Sequence, residues 1–203
     1  MEGSWPVDRR AGWLGLGFLV LLLASEGALT LPDEGVSASA IASFYAEHRA
    51  VIVALQVAGF VACGLLAAMA LRLRAVDTRV SGAGLFVATA ALAPGLVTLV
   101  VAIVADPGHP ASAGRYNDLE PRGDDLLFLG IAVFGLAIVA ARRRVPSWVA
   151  VLGAVVAVTS VLRLALEALG QERGVLDSLA PLSVLLLVGA VTWLSFRGSP
   201  RSS

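Results

Sequence analysis

The sequence predicts an all-α, polytopic transmembrane bundle of six helices with both termini on the cytoplasmic side. Three observations carry this reading. Hydrophobic residues make up 58% and charged residues 15% of the 203, against about 45–50% and about 25% in soluble domains. Apolar runs of about 20 residues recur along the chain, the length that crosses a hydrocarbon core of about 30 Å. These runs show no period of two and are longer than the roughly 10 residues of a barrel strand, so their backbone groups must be satisfied within helices.

The runs occupy residues 12–31, 50–71, 82–105, 126–141, 146–169 and 175–196, a single domain over 12–196 with short tails at 1–11 and 197–203. The first begins after Arg9 and Arg10 and could pass for a secretion signal, but it is long for one. Ser25-Glu26-Gly27 is also a poor cleavage context, so it is expected to be retained. The second is expected to start ahead of the membrane. Ser37, after Gly35, is an N-cap candidate, and no breaker interrupts the chain from about residue 38 to about residue 74. Pro94 in the third run and Pro181 in the sixth are expected to kink their helices. The fourth run is the shortest and spans only if Asp125 and Arg142 sit at the two interfaces, with Asp124 and Asp125 opening the helix. The stretch before it, residues 106–124, carries Pro107, Pro110 and Pro121 with three glycines and reads as an irregular external loop.

Arginine sets the orientation. Arg9, Arg10, Arg72, Arg74, Arg79, Arg142, Arg143, Arg144, Arg197 and Arg201 fall on one side, which is therefore expected to be cytoplasmic. Arg49, Arg115, Arg122 and Arg173 fall on the other, with Arg163 near them. Of the acids only Glu2, Asp8 and Asp77 lie on the arginine-rich side. Trp13, Trp148 and Trp193 lie near that same interface, as an aromatic belt would.

Several chemistries find no footing. Basic and acidic residues balance at 15 each, which argues against a nucleic-acid partner. Every basic residue is Arg, which reads as codon bias. Cys63 is the sole cysteine and reads as a small packing residue. His48 and His109 stand too far apart in the pattern for a metal site, and no metalloprotease, serine-hydrolase or phosphate-loop motif is present, so no cofactor is implied. Asp124-Asp125 is followed by Leu-Leu-Phe and is not the Asp-rich magnesium motif of prenyl-diphosphate enzymes. Small-x-x-x-small spacings at Gly59 and Cys63 and at Ala58 and Ala62 suit close helix packing.

What remains is a polar cluster at the outward ends of the helices. Glu26 lies near the end of the first. Tyr45, Arg49 and Gln56 share a face of the second, and Asp124 opens the fourth. Ser160, Arg163 and Glu167 share a face of the fifth, and Asp177 opens the sixth. Their similar depth predicts a shallow outer vestibule. Arg163 and Glu167 are its sharpest members, because a charge near the centre of a span costs about 2.5–3.5 kcal/mol. Their spacing predicts an ion pair between them, with Arg163 snorkelling outward. Glu26 has no partner in its own helix and would be neutralised by Arg49 or Arg163.

Phe44-Tyr45 followed by Arg49, Gly123-Asp124, and Pro146-Ser147-Trp148 after an arginine-rich turn form a pattern that resembles a group of six-span, mostly actinobacterial membrane proteins assigned to a domain of unknown function. The resemblance covers about residues 36–196. It implies a plasma-membrane location and six helices and brings no activity with it. Three functions fit the residues: a non-enzymatic membrane module that binds a lipid or membrane-protein partner at its outer vestibule; a membrane-embedded enzyme acting on a lipid or isoprenoid, with Glu26 or Glu167 as acid–base and Arg163 holding an anionic group; and a small transporter, which the lack of midplane charges disfavours. The first needs no motif and is the leading expectation.

Overall fold

A computed structural model describes residues 8–32 and 36–197. Gly35 and the outer parts of both expected tails, residues 1–7 and 198–203, lie outside the described residues. The elements are α1 (Arg9–Gly27), α2 (Ala38–Arg72, ending in a 3-10 turn at Leu73–Ala75), α3 (Thr78–Ala90), α4 (Leu92–Val104), α5 (Ala111–Asn117), α6 (Glu120–Ala140), α7 (Ser147–Ala168) and α8 (Leu176–Arg197). Among the described residues there is no strand. Six helical segments are long and apolar enough to cross a membrane, with α3 and α4 together forming the third and α6, preceded by α5, the fourth. The chain is an all-α, multi-pass membrane protein.

Local chemistry explains most boundaries. Ser37 caps α2 by accepting the amide of Ala40 at 3.3 Å, and the helix then runs for 35 residues, about 52 Å. It is therefore longer than a hydrocarbon core of about 30 Å. The third span departs from the expected continuous helix over 82–105. It begins earlier, at Thr78, because Asp77 accepts the Arg79 amide at 2.8 Å. It also breaks at Ala91. Pro94 has no amide to offer the carbonyl of Ala90 and its ring crowds that carbonyl, so the ladder cannot pass through unbroken. The fourth span departs too. Its helix starts at Glu120 with Pro121 in the first turn, a position where a missing amide costs nothing. Asp124 and Asp125 thus stand a turn inside the helix instead of opening it. The expected irregular loop contains a short helix, α5. Pro181, by contrast, is accommodated within a continuous α8.

Each span packs on the next in chain order, and α8 returns to pack on α1, closing a ring of six. The outside of the ring is apolar: Val20, Leu23, Val57, Ile103, Leu136 and Val151 are all more than half exposed, a surface suited to lipid rather than water. Inside, Leu66, Met69, Phe134, Ile138, Leu187 and Val191 belong to one large core. A smaller cluster around Tyr45, Ile52 and Val101 joins α2, α4 and α5.

Glycine permits the tightest approaches. A Cβ on Gly135 would stand 2.5 Å from the carbonyl oxygen of Gly153, so α6 and α7 touch backbone to backbone. Gly123 approaches the backbone of Pro94 in the same way, seating α6 on the break between α3 and α4. Gly59, expected to mediate close packing, faces nothing within 4 Å, so no neighbour makes a close approach at that position.

The arginine-rich ends of the helices are joined by short polar links. Asp8 accepts the amides of Arg10 and Ala11, each at 3.1 Å, and pairs with Arg72 at 3.0 Å. Partial burial pushes its carboxyl pKa up, but the Ala11 amide, the Arg72 guanidinium and the Arg10 amide outweigh this and hold it below the ordinary 3.8. Arg144 donates to the carbonyl of Val76 and to Asp77, both at 3.2 Å, tying the α6–α7 turn to the start of α3. Trp148 and Trp193 stack edge to face with centroids 6.2 Å apart at this end of α7 and α8.

Candidate functional site

Arg163 lies on α7, about three-quarters of the way to the end opposite the arginine-rich one, and is 4% exposed. Its side chain turns into the bundle rather than outward along the helix. Nε donates to Asp177 Oδ1 on α8 at 3.3 Å, Nη2 lies 3.9 Å from Asp124 Oδ2 on α6, and the guanidinium carbon sits 3.9 Å above the Phe128 ring. One cation thereby links three helices, by two carboxylates and one aromatic face. Nη1 is buried with no hydrogen-bond partner, as is the hydroxyl of Ser160, a turn earlier on the same helix.

The expected pair between Arg163 and Glu167 does not form. Glu167 bonds to Arg173, with Nη1 to Oε2 at 3.0 Å. The end of α7 explains this. The Gln171 amide reaches back to the Leu166 carbonyl and the Gly170 amide to the Glu167 carbonyl, each at 2.9 Å, with Gly170 at φ +64°. This is a Schellman ending, which needs a left-handed residue after the helix and which glycine adopts at no cost. The reversal carries Arg173 back over Glu167, and its Nε also reaches Asp177 Oδ1 at 3.4 Å. Arg173 is thus a second bridging cation. It lies outside the cluster expected from the sequence, although its spacing of four from Asp177 was the available signal.

Glu26, exposed at the end of α1, lies within electrostatic reach of Asp124. Asp124, Glu167 and Asp177 pair with Arg163 and Arg173, whereas Glu26 forms no ion pair with Arg49 or Arg163, the partners expected for it, since Arg49 turns to the Ala105 carbonyl and Arg163 to Asp124 and Asp177. With Glu26 beside Asp124, four carboxylates against two guanidiniums leave this cluster with a formal excess of two negative charges.

The three candidates on α2 do not join this group. They share a face, as their spacing requires, but that face is turned to α4. Arg49 donates through Nη2 to the carbonyl of Ala105 and so closes the C-terminal end of α4. The Gln56 side-chain oxygen packs at Gly95, where any Cβ would come within 2.8 Å of it. Tyr45 is fully buried. Its hydroxyl faces Thr98 and Glu120 but meets neither in good hydrogen-bond geometry, leaving the oxygen unpartnered among the described residues. Thr98 Oγ1 in turn donates to Glu120 Oε1 at 3.4 Å. The polar residues therefore form two groups, one around Arg163 and one between α2, α4 and the start of α6, rather than a single vestibule. Thr98 and Glu120 were not legible as site members, since nothing local marks a threonine in an apolar helix as facing a carboxylate.

Among the described residues no group of three or more His, Cys, Asp or Glu is placed to hold a metal ion. No family model matches the chain, and neither does any curated protein or solved structure. The motif resemblance to the six-span proteins of unknown function gains no support from these comparisons, and no residue role comes from it.

Proposed function

We propose that this protein is a non-enzymatic module of the plasma membrane (a bacterial inner membrane) with both termini cytoplasmic, and that its acidic polar end binds a lipid or membrane-protein partner through a cationic group. One observation supports this above the others. Arg163 is engaged by Asp177, Asp124 and Phe128, so the buried cation is spent on joining helices, and what faces outward is a surplus of carboxylate with Asp177 half exposed. Such a surface favours an ammonium or guanidinium group over an anion.

The enzymatic alternative needs Arg163 free to grip an anionic substrate group and Glu167 free to move a proton. Each already faces an opposite charge. A transporter needs ionisable groups along a midplane path, whereas the charges of the described spans gather toward helix ends.

The test uses the full chain and its E26Q/D177N variant. The expected result is that a partner, or phosphatidylethanolamine enriched around the wild type, is lost from the variant while the lipid profile of the host membrane is unchanged. Disappearance of a defined lipid product in cells carrying a folded E26Q or E167Q protein would sink the module reading. Orientation is tested separately in a Cys63→Ala background. A cysteine at position 115 should label from outside and one at position 143 only from the cytoplasm; the reverse pattern overturns the orientation.

A further inference from the structure

At the opposite end of the bundle from Arg163, the start of α3, the end of α6 and the turn that follows it line an open cleft of about 350 Å³. This is within the range of small-molecule sites, about 300–1,000 Å³. Three guanidiniums, of Arg79, Arg143 and Arg144, line it with Asp77 and Thr78, and the last turn of α6 lies beneath. The single carboxylate is already committed, since Asp77 caps α3 and pairs with Arg144. Among the described residues Arg79 and Arg143 have no ion-pair partner, although both are exposed on the wall of the same cleft. The cleft thus carries a formal excess of two positive charges, held by planar donors that suit phosphate oxygens.

Its level matters as much as its charge. Arg143 and Arg144 lie in the turn just before α7, and at the start of that helix Trp148 packs on Trp193, over which Arg197 also sits at 5.2 Å. Tryptophan and arginine together mark the headgroup level of a span. A basic cleft between helix ends at that level is placed to receive a phosphate that is attached to a lipid.

We propose that the cleft walled by Arg79, Arg143 and Arg144 is a binding site for a phosphate group carried by an anionic phospholipid headgroup. Thr78 and the two unpaired guanidiniums supply the donors, and Asp77 holds Arg144 in place. The site rests on the cleft's own charge and shape, whichever face is cytoplasmic, and it lies at the other end of the molecule from the acidic cluster.

The experiment uses the detergent-solubilised full chain with three probes, phosphatidylglycerol, phosphatidylcholine and inorganic phosphate, read by native mass spectrometry and thermal unfolding. The wild type should retain phosphatidylglycerol under conditions that strip phosphatidylcholine. R79Q/R143Q should lose that preference by roughly tenfold or more, while R10Q/R74Q, which removes the same charge from the same end but outside the cleft, should keep it. Should the double variant fail to fold, R143Q alone, altered on an exposed turn, gives the same reading. Retention of inorganic phosphate that depends on Arg79 and Arg143, with no preference between the two lipids, would assign the site to free phosphate and overturn the headgroup source. Phosphatidylglycerol preference that survives R79Q/R143Q, or falls equally in R10Q/R74Q, or is absent from the wild type, overturns the site itself.

Discussion

Arg163 and Arg143 stand at opposite ends of the α6–α7 pair and are treated in opposite ways. Arg163 is 4% exposed and meets two carboxylates and an aromatic ring. Arg143 is exposed and meets no counter-ion among the described residues. The difference follows from desolvation. A guanidinium withdrawn from water loses several kcal/mol of hydration and must recover it from fixed partners, so the inner cation is surrounded and becomes part of the scaffold. A guanidinium left in water or among headgroups loses little, needs no partner, and stays available to a ligand. One end of the bundle is therefore closed and slightly acidic; the other is open and basic.

The largest expected effect comes from breaking the closed end. Arg163→Met removes the cation that joins Asp124, Asp177 and Phe128 across three helices, leaving Asp177 only its contact with Arg173, and should destabilise the protein by about 2 kcal/mol in detergent unfolding. R163M/D124N/D177N, which removes the charges as a set, should recover most of that loss. An R163M protein that unfolds no earlier than the wild type would remove the structural half of the contrast.

A smaller effect is expected where the open end is tied down. Asp77→Ala removes the cap of α3 and the partner of Arg144 and should cost about 1 kcal/mol. It should also release Arg144, so phosphatidylglycerol retention should fall with it. Retention that is unmoved while stability drops would show that Arg144 needs no positioning.

Asp8 gives a pH-dependent test at the same end. Its folded-state pKa is depressed below 3.8, so its contribution is present above the unfolded-state value and is lost as pH falls through the folded-state value. The stability gap between wild type and Asp8→Ala should be full at neutral pH, about 1 kcal/mol for a cap of this kind, and should narrow in acid. A gap of constant size across that range would mean that the charge on Asp8 contributes nothing. Smallest of all, R79Q/R143Q should change stability in neutral detergent by no more than about 0.5 kcal/mol. A larger loss would mean that those arginines are structural, and the two ends would then be alike.

The comparison also explains which parts of the site could be read from the chain. Arg163 was legible because a charge inside an apolar run is rare, and Asp177 because it opens the following span. Their pairing was not. Spacing of three or four along a helix pointed Arg163 at Glu167, but a long side chain can instead turn toward neighbouring helices, and Phe128, Asp124 and Asp177 made that turn favourable. Arg173 was hidden because its position depends on the left-handed Gly170 that reverses the chain. Tyr45, Arg49 and Gln56 were correctly placed on one face of α2, yet which helix that face meets is set by the packing of α4, and no period within α2 encodes it.

By itself the sequence determined the six apolar spans and the concentration of arginine at one end, though not the break at Ala91 or the short helix α5, because each span depends on residues close together in the chain acting against lipid or water. The starts of α2 and α3 belong to the same class, being fixed by caps a few residues away. Tertiary structure alone decided the closing of α8 onto α1, the backbone contact of Gly135 with Gly153, the partners of Arg163 and the cleft beside Arg79. Those depend on groups brought together from distant parts of the chain, where the balance between desolvation and pairing is struck only after the helices have packed.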